Sequence, residues 1–399
     1  MIEKIKQESE HIKEEVISLR RHFHKYPERS LEEFETAKFI ENKLKEYEIP
    51  YRSGIAKTGI LAVIEGEKEG GTVALRADMD ALPVHEETAL PFASKNEGAM
   101  HACGHDAHMA ILLGTGKILS KNKSQIKGRV LLVFQPSEEK SPVGGAKPML
   151  DDGVFDDYQP DVIYGLHVWP DLPVGQFGIR DAEMMGASDS FSITIAGTGG
   201  HASMPQTTRD PILTAAHLIV NLQSIVSRSL DPLQASVVTT SMIHGGSARN
   251  IIPNEVKLEG SIRTYQKEIK DKLKERFFEI AEGVAEVYQN DIQIEYNDGY
   301  PATINTPKWA KLARESVVEL FGKKATPEVK PSLAAEDFSR FLEEIDGAFI
   351  WLGSMNEDED MRKGLHDASF TVNEEALTYG VAYSTYVAIK ALEQIDHES

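Results

Sequence analysis

Short apolar segments that are followed by clusters of polar residues constrain the fold of this chain more than any other feature of its sequence. Segments 72–77, 129–134, 161–166 and 348–352 are apolar and of strand length. A helical pattern over 106–119 separates the first two of these segments. Strands that alternate with helices in this way predict an α/β fold, in which an open mixed sheet is flanked by helices.

The length of the chain predicts a second domain. Its 399 residues exceed what one hydrophobic core usually covers. Segment 187–300 has the order β-α-β-β-α-β, with helical patterns over 211–227 and 265–289, and this order is typical of a ferredoxin-like α+β sandwich. We therefore expect 187–300 to be inserted in a first domain that consists of residues 1–186 and 301–399.

Local signals predict where several helices begin. Asp210 and Thr306, each followed by proline, have the pattern of N-caps with proline at the first helical position. Asn373 is expected to cap the last helix. Residues 10–47 carry helical spacing near the start of the chain.

Charge and hydropathy exclude several classes of partner. The formal net charge of -20 at pH 7 would be repelled by nucleic-acid phosphates and by anionic membrane surfaces. No stretch approaches the ~18 consecutive apolar residues of a membrane span, and the charged N-terminus lacks the apolar core of a signal peptide. Because Cys103 is the only cysteine, an intrachain disulfide is excluded. We expect a cytoplasmic protein with a small-molecule partner, and neither nucleic acid nor membrane as a partner.

The polar clusters contain the residue types that bind divalent metal ions. Four of them, ADMDALP, QPSEE, HVWP and GLHDASF, follow the apolar segments, and HACGHDAH opens the predicted helix. In open α/β sheets, loops from different strands converge at the carboxyl ends of the strands. Cys103 and His105 could there point a thiolate and an imidazole at one ion. Of Glu138 and Glu139, one carboxylate can bind the ion while the other accepts a proton from a water molecule whose pKa the ion lowers.

Eight segments of the chain resemble, in order, the amidohydrolase branch of the aminoacylase and carboxypeptidase metallohydrolase family: LRADMDALPVHEE, HACGHDAHMAILLG, VFQPSEE, YGLHVWP, GTGGHASMPQ, ARNIIPNEVKLEGSIR, AAEDFS and LHDASF. The branch includes hippurate hydrolases, N-acetyl-amino-acid deacetylases and auxin-conjugate hydrolases. The resemblance covers nearly the whole chain. It implies a metal-dependent exopeptidase-like catalytic domain with two divalent ions per subunit, and an inserted lid and dimerisation domain.

The resemblance also implies roles for individual residues of the first domain. The metal ligands would be Cys103, His105, Glu139, His167 and His366. Glu138 would be the general base, and Asp80 would orient a ligand. Asp78 is a departure, because more distant aminoacylases carry a ligand histidine at this position, and Cys103 and His105 replace it in this branch. His101 and His108 are expected to have structural or supporting roles.

In the inserted domain the resemblance points to substrate-binding residues. His201 is similar to the family histidine that stabilises the oxyanion, generally in the active site of the partner subunit. Asn250 and Arg263 look like substrate-binding residues. A guanidinium can bind the carboxylate of an amino acid through two hydrogen bonds, which gives Arg263 a physical reason for this role.

The expected reaction is the metal-dependent hydrolysis of the amide bond of N-acetyl, N-benzoyl or similar amino acids. A dipeptidase or carboxypeptidase that acts on short peptides would share this chemistry, and a non-catalytic binding protein of the same fold is a further alternative. The mixed ligand set suits zinc or manganese, and also cobalt or nickel. We expect a homodimer or a higher homo-oligomer.

Overall fold

The computed structural model describes residues 1–398, and the chain divides into two compact units. Unit 1 consists of Met1–Met184, Ile304–Lys330 and Asp337–Ser399, and unit 2 consists of Met185–Thr303 and Pro331–Glu336. The sequence led us to expect boundaries after residues 186 and 300. That the units act as a catalytic domain and a lid domain remains a proposal.

The α-helices of the described chain are α1 (Ile2–His11), α2 (Lys13–Lys25), α3 (Phe34–Glu46), α4 (His105–Lys121), α5 (Ala146–Asp151), α6 (Pro211–Ser224), α7 (Lys267–Val287), α8 (Pro307–Phe321), α9 (Ser339–Leu342) and α10 (Glu375–Glu398). Its β-strands are β1 (Tyr51–Ile55), β2 (Gly59–Glu65), β3 (Lys68–Asp78), β4 (Lys127–Gln135), β5 (Val162–Trp169), β6 (Phe177–Gly178), β7 (Glu183–Met185), β8 (Ala187–Ala196), β9 (Gly200–His201), β10 (Ser236–Gly245), β11 (Ile251–Ile252), β12 (Glu255–Thr264), β13 (Asp291–Asn297), β14 (Thr303–Ile304) and β15 (Gly347–Gly353).

Two of the three predicted N-cap residues make the expected side-chain hydrogen bond, and the third does not. The side chain of Asp210 accepts a hydrogen bond from the N–H of Ile212 at 2.9 Å, which confirms it as the N-cap of α6. The Asn373 side chain accepts from the N–H of Glu375 at 3.1 Å, as expected of a cap on α10. Thr306 precedes α8, but its side chain makes no capping bond, because its hydroxyl binds the N–H of Gly347 instead.

The helical pattern over 10–47 is interrupted in the structure. Helix α2 ends at Lys25, and α3 begins only at Phe34. Pro27 lies in the intervening segment and has no N–H for an intrahelical bond. Leu31 has a φ of 71°, in the left-handed region that ends a right-handed helix.

Unit 1 contains a seven-stranded mixed sheet in the order β1-β2-β4-β3-β5-β15-β6. The four central strands, β4, β3, β5 and β15, are parallel to one another, and the outer pairs are antiparallel. These central strands contain the four apolar segments of the sequence, which confirms the expected open mixed sheet. Because the central strands are parallel, the polar residues that follow them lie at one edge of the sheet.

The core of unit 1 fixes helix α4 in place. Nearly every residue of α4 is buried, and α4 packs against α2, α10 and strand β3. Leu112 and Leu113 of this helix are 3% and 0% exposed. Burial of each such side chain contributes about 1.5–3 kcal/mol, so the first turn of α4 is held firmly relative to the sheet.

Unit 2 has its own sheet and core. Its sheet has the order β10-β12-β8-β13 with antiparallel neighbours, and α6 and α7 pack on it over an apolar core. The chain order is β-α-β-β-α-β, and the first strand lies between the third and the fourth. This is the ferredoxin-like arrangement predicted from the sequence. In the described chain, no helix has both the length and the apolar character that crossing a bilayer requires.

Candidate metal centre

The glycine directly before α4 allows the predicted ligand Cys103 to lie beside a second predicted ligand, His167, near the end of β5. Gly104 has a φ of +86°, a conformation that glycine adopts without steric cost. A Cβ at this position would lie 2.3 Å from Cγ2 of Val168, so no larger residue fits. The close approach places Cys103 beside His167, with 3.5 Å between Sγ and Nε2.

The hydrogen bonds of His167 leave it in the form that binds metal. Its Nδ1 lies 2.7 Å from the backbone oxygen of Val168, so Nδ1 carries the proton and donates it. Nε2 then presents a lone pair toward Cys103. Burial holds the pKa of His167 well below its usual value of 6.5. A neutral imidazole with an oriented Nε2 is a ready metal ligand.

His105 is oriented by a backbone carbonyl and surrounded by acidic groups. Its Nδ1 donates to the backbone oxygen of Asp80 at 2.8 Å, and its buried Nε2 has no hydrogen-bond partner among residues 1–398. Burial alone would lower the pKa of His105, but the charges of Asp78 and Asp80 outweigh it and raise the pKa to about 10. The same acidic groups that stabilise a proton here would stabilise a divalent ion.

Glu139 and His366 complete the set of predicted ligands. Oε1 of Glu139 is buried and makes no hydrogen bond within the described chain, and it lies 3.3 Å from Nε2 of His366. The backbone N–H of His366 donates to the oxygen of Ala102 at 2.8 Å. That bond ties His366, which is distant in sequence, to the turn that carries Cys103.

The structure therefore brings together the predicted base and all five predicted ligands. Candidate ligand atoms lie within 4.8 Å of one another in each of three overlapping groups, namely Cys103, His105 and His167; Cys103, Glu139 and His366; and His105, Glu138 and Glu139. Sulfur, nitrogen and oxygen donors in this arrangement fit a soft-to-borderline divalent ion. Nε2 of His105, which has no hydrogen-bond partner among the described residues, fits the same ion, because buried polar atoms normally have a partner.

A further acidic group near this centre is already occupied by protein partners. Asp78 accepts hydrogen bonds from Nη1 of Arg76 and Nδ1 of His108, both at 2.6 Å. Nε2 of His108 accepts from the N–H of Val168 at 2.8 Å. Because both ring nitrogens of His108 are used, its geometry agrees with the expected structural role. His101 is also buried, and burial lowers its pKa to about 3.

Asp80 supports both halves of the centre. Besides its backbone contact with His105, its carboxylate accepts from the N–H groups of Glu138 and Glu139 at 2.9 and 3.0 Å. The hydroxyl of Ser30 donates to Asp80 at 2.7 Å. Burial would raise the pKa of Asp80, but its bonds to His105, Ser30 and the glutamate loop lower it. Asp80 thus holds the loop that carries the predicted base, which the sequence did not indicate.

The sequence analysis assigned no role in the site to Asp337, a buried residue that contacts Glu138. The backbone N–H of Asp337 donates to Oε1 of Glu138 at 3.4 Å. The carboxylate of Asp337 accepts from Arg76 at 3.0 Å, from Gln135 at 2.8 Å and from the N–H of Gly145 at 2.8 Å. The segment AAEDFS, which belongs to the family resemblance, was the available signal for Asp337.

The three remaining site predictions lie in unit 2. His201 and Asn250 are neighbours, since β9 pairs with β11 and the N–H of Ala202 donates to the oxygen of Asn250 at 3.1 Å. Nδ1 of His201 accepts from the N–H of Ser203 at 3.2 Å, which leaves the proton on Nε2. Arg263 lies half-buried on β12. Their roles toward a substrate stay predictions.

Comparison with known proteins gives consistent matches over nearly the whole chain. The peptidase family M20/M25/M40 matches residues 74–390. An N-acetyl-L-cysteine deacetylase of Bacillus subtilis (strain 168) is 41% identical over 97% of this chain and 90% of its own length. Thermostable carboxypeptidase 1 of Saccharolobus solfataricus is 37% identical over 98% of both chains. A crystal structure of the Bacillus subtilis YXEP protein, a dinuclear metal binding peptidase, has a TM-score of 0.84, with 35% identity over 97% of this chain and 100% of that one. These matches confirm the resemblance found in the sequence.

Proposed function

Because the chain belongs to peptidase family M20/M25/M40, we propose that it is a metal-dependent amidohydrolase that cleaves the amide bond of N-acyl amino acids. One observation carries the proposal most directly. Glu138 lies within the group formed with His105 and Glu139, while Glu139 faces His366. Two adjacent carboxylates therefore have different surroundings, as a base and a ligand require. The deacetylase relative supports the substrate class.

We propose that divalent ions are held by the five clustered side chains, with two ions per subunit and zinc or manganese as the metal. Those side chains are Cys103, His105, Glu139, His167 and His366. Cobalt and nickel suit the same donors. When bound, such ions lower the pKa of a water molecule and polarise the amide carbonyl.

In this proposal a side chain of the protein, that of Glu138, accepts and donates the proton. Glu138 accepts the proton of the attacking water and delivers it to the leaving amine. Its position is supported by the N–H of Asp337 and by the bond between its own N–H and Asp80. Because one hydrogen bond holds the carboxylate of Glu138 and another holds its backbone, Glu138 needs little reorganisation when the proton arrives, and this favours catalysis.

Recognition of the substrate is proposed for residues of unit 2. His201 carries its proton on Nε2 and is suited to donate to a developing oxyanion. Arg263 and Asn250 are proposed to bind the carboxylate of the amino acid. Burial lowers the pKa of Arg263, but a guanidinium stays charged at neutral pH and keeps its ability to pair with an anion.

The direct test of the proposed base is the variant Glu138→Gln. It is expected to keep the metal and to lose about 10²–10⁴-fold in kcat, because the amide cannot accept a proton. Metal content by atomic absorption and turnover of N-acetyl amino acids are the measurements. Glu139→Gln is the matched control and is expected to lose metal as well. Near-normal hydrolysis by Glu138→Gln would refute the proposed role.

A peptidase is the second candidate, because the carboxypeptidase relative matches the chain over the same length. Comparison of dipeptides with N-acetyl and N-benzoyl amino acids separates the two activities. A higher kcat/KM for dipeptides would replace the proposed substrate class. A non-catalytic binding protein would show saturation by these compounds without any product.

We also propose that the protein is a cytoplasmic homodimer that pairs through unit 2. Strand β10 is an edge strand, and it exposes Val237, Met242 and Ile243 by 37%, 46% and 55%. An edge with unpaired backbone groups and apolar side chains is suited to pair with another strand. A second copy of this chain offers the same edge, and an antiparallel pairing of the two would be closed and symmetric.

A further inference from the structure

A buried carboxylate outside the proposed catalytic set contacts the loop that carries Glu138. Oε1 of Glu33 accepts hydrogen bonds from the backbone N–H and the hydroxyl of Ser137 at 2.9 and 3.0 Å, and from the N–H of Leu31 at 3.1 Å. Oε2 accepts from the hydroxyl of Thr58 at 2.9 Å. Glu33 is 0% exposed. A buried carboxylate is retained only when such partners compensate for its lost hydration.

The residue that Glu33 holds has an unfavourable backbone conformation. Ser137 has a φ of +58°, which costs about 1–2 kcal/mol in a residue other than glycine. Both donors of Ser137 bind Glu33, and its hydroxyl oxygen accepts from the N–H of Leu31 at 2.9 Å. These bonds offset the conformational cost at the position directly before Glu138.

The conformation of Ser137 decides where the next residues point. Immediately after it, the N–H groups of Glu138 and Glu139 both turn toward the carboxylate of Asp80. Asp80 thus holds the loop after Ser137, and Glu33 holds it at Ser137. The hydroxyl of Ser30 donates to Asp80 at 2.7 Å, so the segment that contains Ser30 and Glu33 contacts both Asp80 and Ser137.

We propose that Glu33 is a positioning residue for the reaction. By holding Ser137 in the left-handed conformation, it fixes Glu138 where a base is needed and Glu139 where a ligand is needed. The inference rests on the proposed function, since Glu33 acts only through Glu138 and Glu139.

The first experiment compares Glu33→Ala with Glu33→Gln at saturating metal. Glu33→Ala is expected to lower kcat on an N-acetyl amino acid by about 100-fold with KM unchanged, because small displacements of a catalytic group have effects of this size. Glu33→Gln keeps an oxygen for Ser137, and its amide can donate to the hydroxyl of Thr58. It is expected to retain most of the activity. Wild-type kcat in Glu33→Ala would overturn the inference.

Glu28→Ala is the matched control in the same segment. The carboxylate of Glu28 accepts from the N–H groups of Glu35 and Thr36 at 3.2 and 2.7 Å, and so it supports the start of α3 alone. This variant is expected to lower Tm and to leave kcat unchanged. An equal loss of kcat in Glu28→Ala and Glu33→Ala would reduce Glu33 to a structural role and overturn the inference.

Two variants at Ser137 extend the test, and Ser137→Ala keeps it decisive even if Glu33→Ala folds poorly. Glycine adopts a positive φ without cost, so Ser137→Gly is expected to restore part of the kcat lost in Glu33→Ala. Ser137→Ala removes one hydrogen bond to Glu33 and is expected to lower kcat about five- to tenfold with folding retained. Unchanged kcat in Ser137→Ala would contradict the inference.

A double-variant comparison separates this inference from the proposed function. At saturating metal, where the effect through the ligand Glu139 is suppressed, Glu33→Ala is expected to lower the residual kcat of Glu138→Gln no further, because Glu33 then acts on turnover through Glu138. An additional 100-fold loss in that background would overturn the role of Glu33 and leave the base assignment intact. An inactive wild-type protein, or an active Glu138→Gln variant, would instead overturn the proposed function and with it the inference.

Discussion

Buried acidic residues make the candidate metal centre a site for positive charge. Oδ2 of Asp78 lies 3.7 Å from Nε2 of His105, and Oδ1 of Asp80 lies 3.5 Å from its Nδ1. These carboxylates raise the pKa of His105 to about 10 even though burial opposes its charge. A metal ligand must release the proton from the atom that binds the ion. Metal affinity is therefore expected to fall as the pH is lowered.

Substitution of Cys103 by alanine tests the ligand assignment directly. The variant is expected to lower metal affinity by at least about 100-fold, because even residues that only support a ligand change affinity by about 10–100-fold. Metal content after dialysis against a weak chelator is the measurement. His22→Ala is the control, since His22 stacks on Phe39 with ring centroids 3.7 Å apart. Wild-type metal content in Cys103→Ala would remove Cys103 from the set of ligands.

A second buried polar cluster lies beside His105 in sequence. Asp106 accepts hydrogen bonds from Nε of Arg20 and Nδ1 of His24, both at 2.8 Å. All three side chains are almost completely buried. Burial would raise the pKa of Asp106, but the charges of Arg20 and His24 outweigh it and hold the pKa far below its ordinary value of 3.8. The cluster joins α2 to the first turn of α4.

Asp106→Asn is expected to destabilise the fold in a pH-dependent way. Removal of one partner from a buried ion pair costs about 3–5 kcal/mol, and this loss applies near neutral pH. A carboxylate with a lowered folded-state pKa stabilises the fold above its unfolded-state pKa, and the contribution disappears as the pH falls. The difference from wild type should therefore shrink below its ordinary pKa of 3.8. Urea denaturation between pH 7 and pH 3, with chelator present, measures it.

A surface ion pair provides the comparison for Asp106→Asn. Glu65 pairs with Arg129 at 3.1 Å, and the two side chains are 53% and 34% exposed. Glu65→Gln is expected to change the free energy of unfolding by less than about 1 kcal/mol. A difference between Asp106→Asn and wild type that stays constant down to pH 3 would contradict the assigned pKa direction.

At the level of elements, helix α4 owes its position to the glycine before it. The helix is buried on most of its surface and cannot shift to relieve a clash. Gly104 combines a positive φ with contact to Val168 at the end of β5. The turn can therefore approach the strand only if residue 104 lacks a side chain. The close contact between Cys103 and His167 depends on this approach.

Gly104→Ala should consequently disturb the metal centre. The left-handed conformation alone costs about 1–2 kcal/mol in alanine, and the Cβ would collide with Val168 at 2.3 Å. We expect a lower Tm and a lower metal content. Gly283→Ala is the control, because a Cβ within α7 meets nothing within 4 Å there. Alanine should stabilise that helix by about 0.5–1 kcal/mol. Equal effects of the two substitutions would contradict this account.

For the whole molecule, the two units contain sheets of different types. The parallel central strands of unit 1 gather side chains from distant parts of the sequence at one edge. The antiparallel sheet of unit 2 leaves β10 as an edge with exposed apolar side chains.

The double variant Met242→Lys and Ile243→Lys tests association through β10. Lysine on an edge strand opposes pairing with another edge, so the variant is expected to be monomeric where the wild type is dimeric. Analytical ultracentrifugation measures the difference. Val287→Lys is the control, because Val287 is 74% exposed and lies at the end of α7 in the same unit. A variant that remains dimeric would contradict an interface at β10.

Many of the helices and strands, and the chemical types of the site residues, could be predicted without coordinates. Apolar runs such as 129–134 have the length of buried strands, and proline after Asp210 favours a helix start because its fixed φ suits the first helical position. The resemblance pointed to Cys103, His105 and Glu139, and these lie together in the structure. Local patterns of this kind depend on a few neighbouring residues, so they can be recognised without coordinates.

The polar residues that support the site could be identified only from the folded chain. The bonds of Glu33 to Ser137, and of Asp337 to Arg76, join positions far apart in the chain. No periodicity encodes such pairs, because a buried carboxylate can be satisfied by any donor that the fold brings near it. The same reason explains why the hydroxyl of Thr306 binds Gly347 instead of capping α8. Tertiary contacts compete with local ones, and their outcome depends on packing that the sequence pattern does not display.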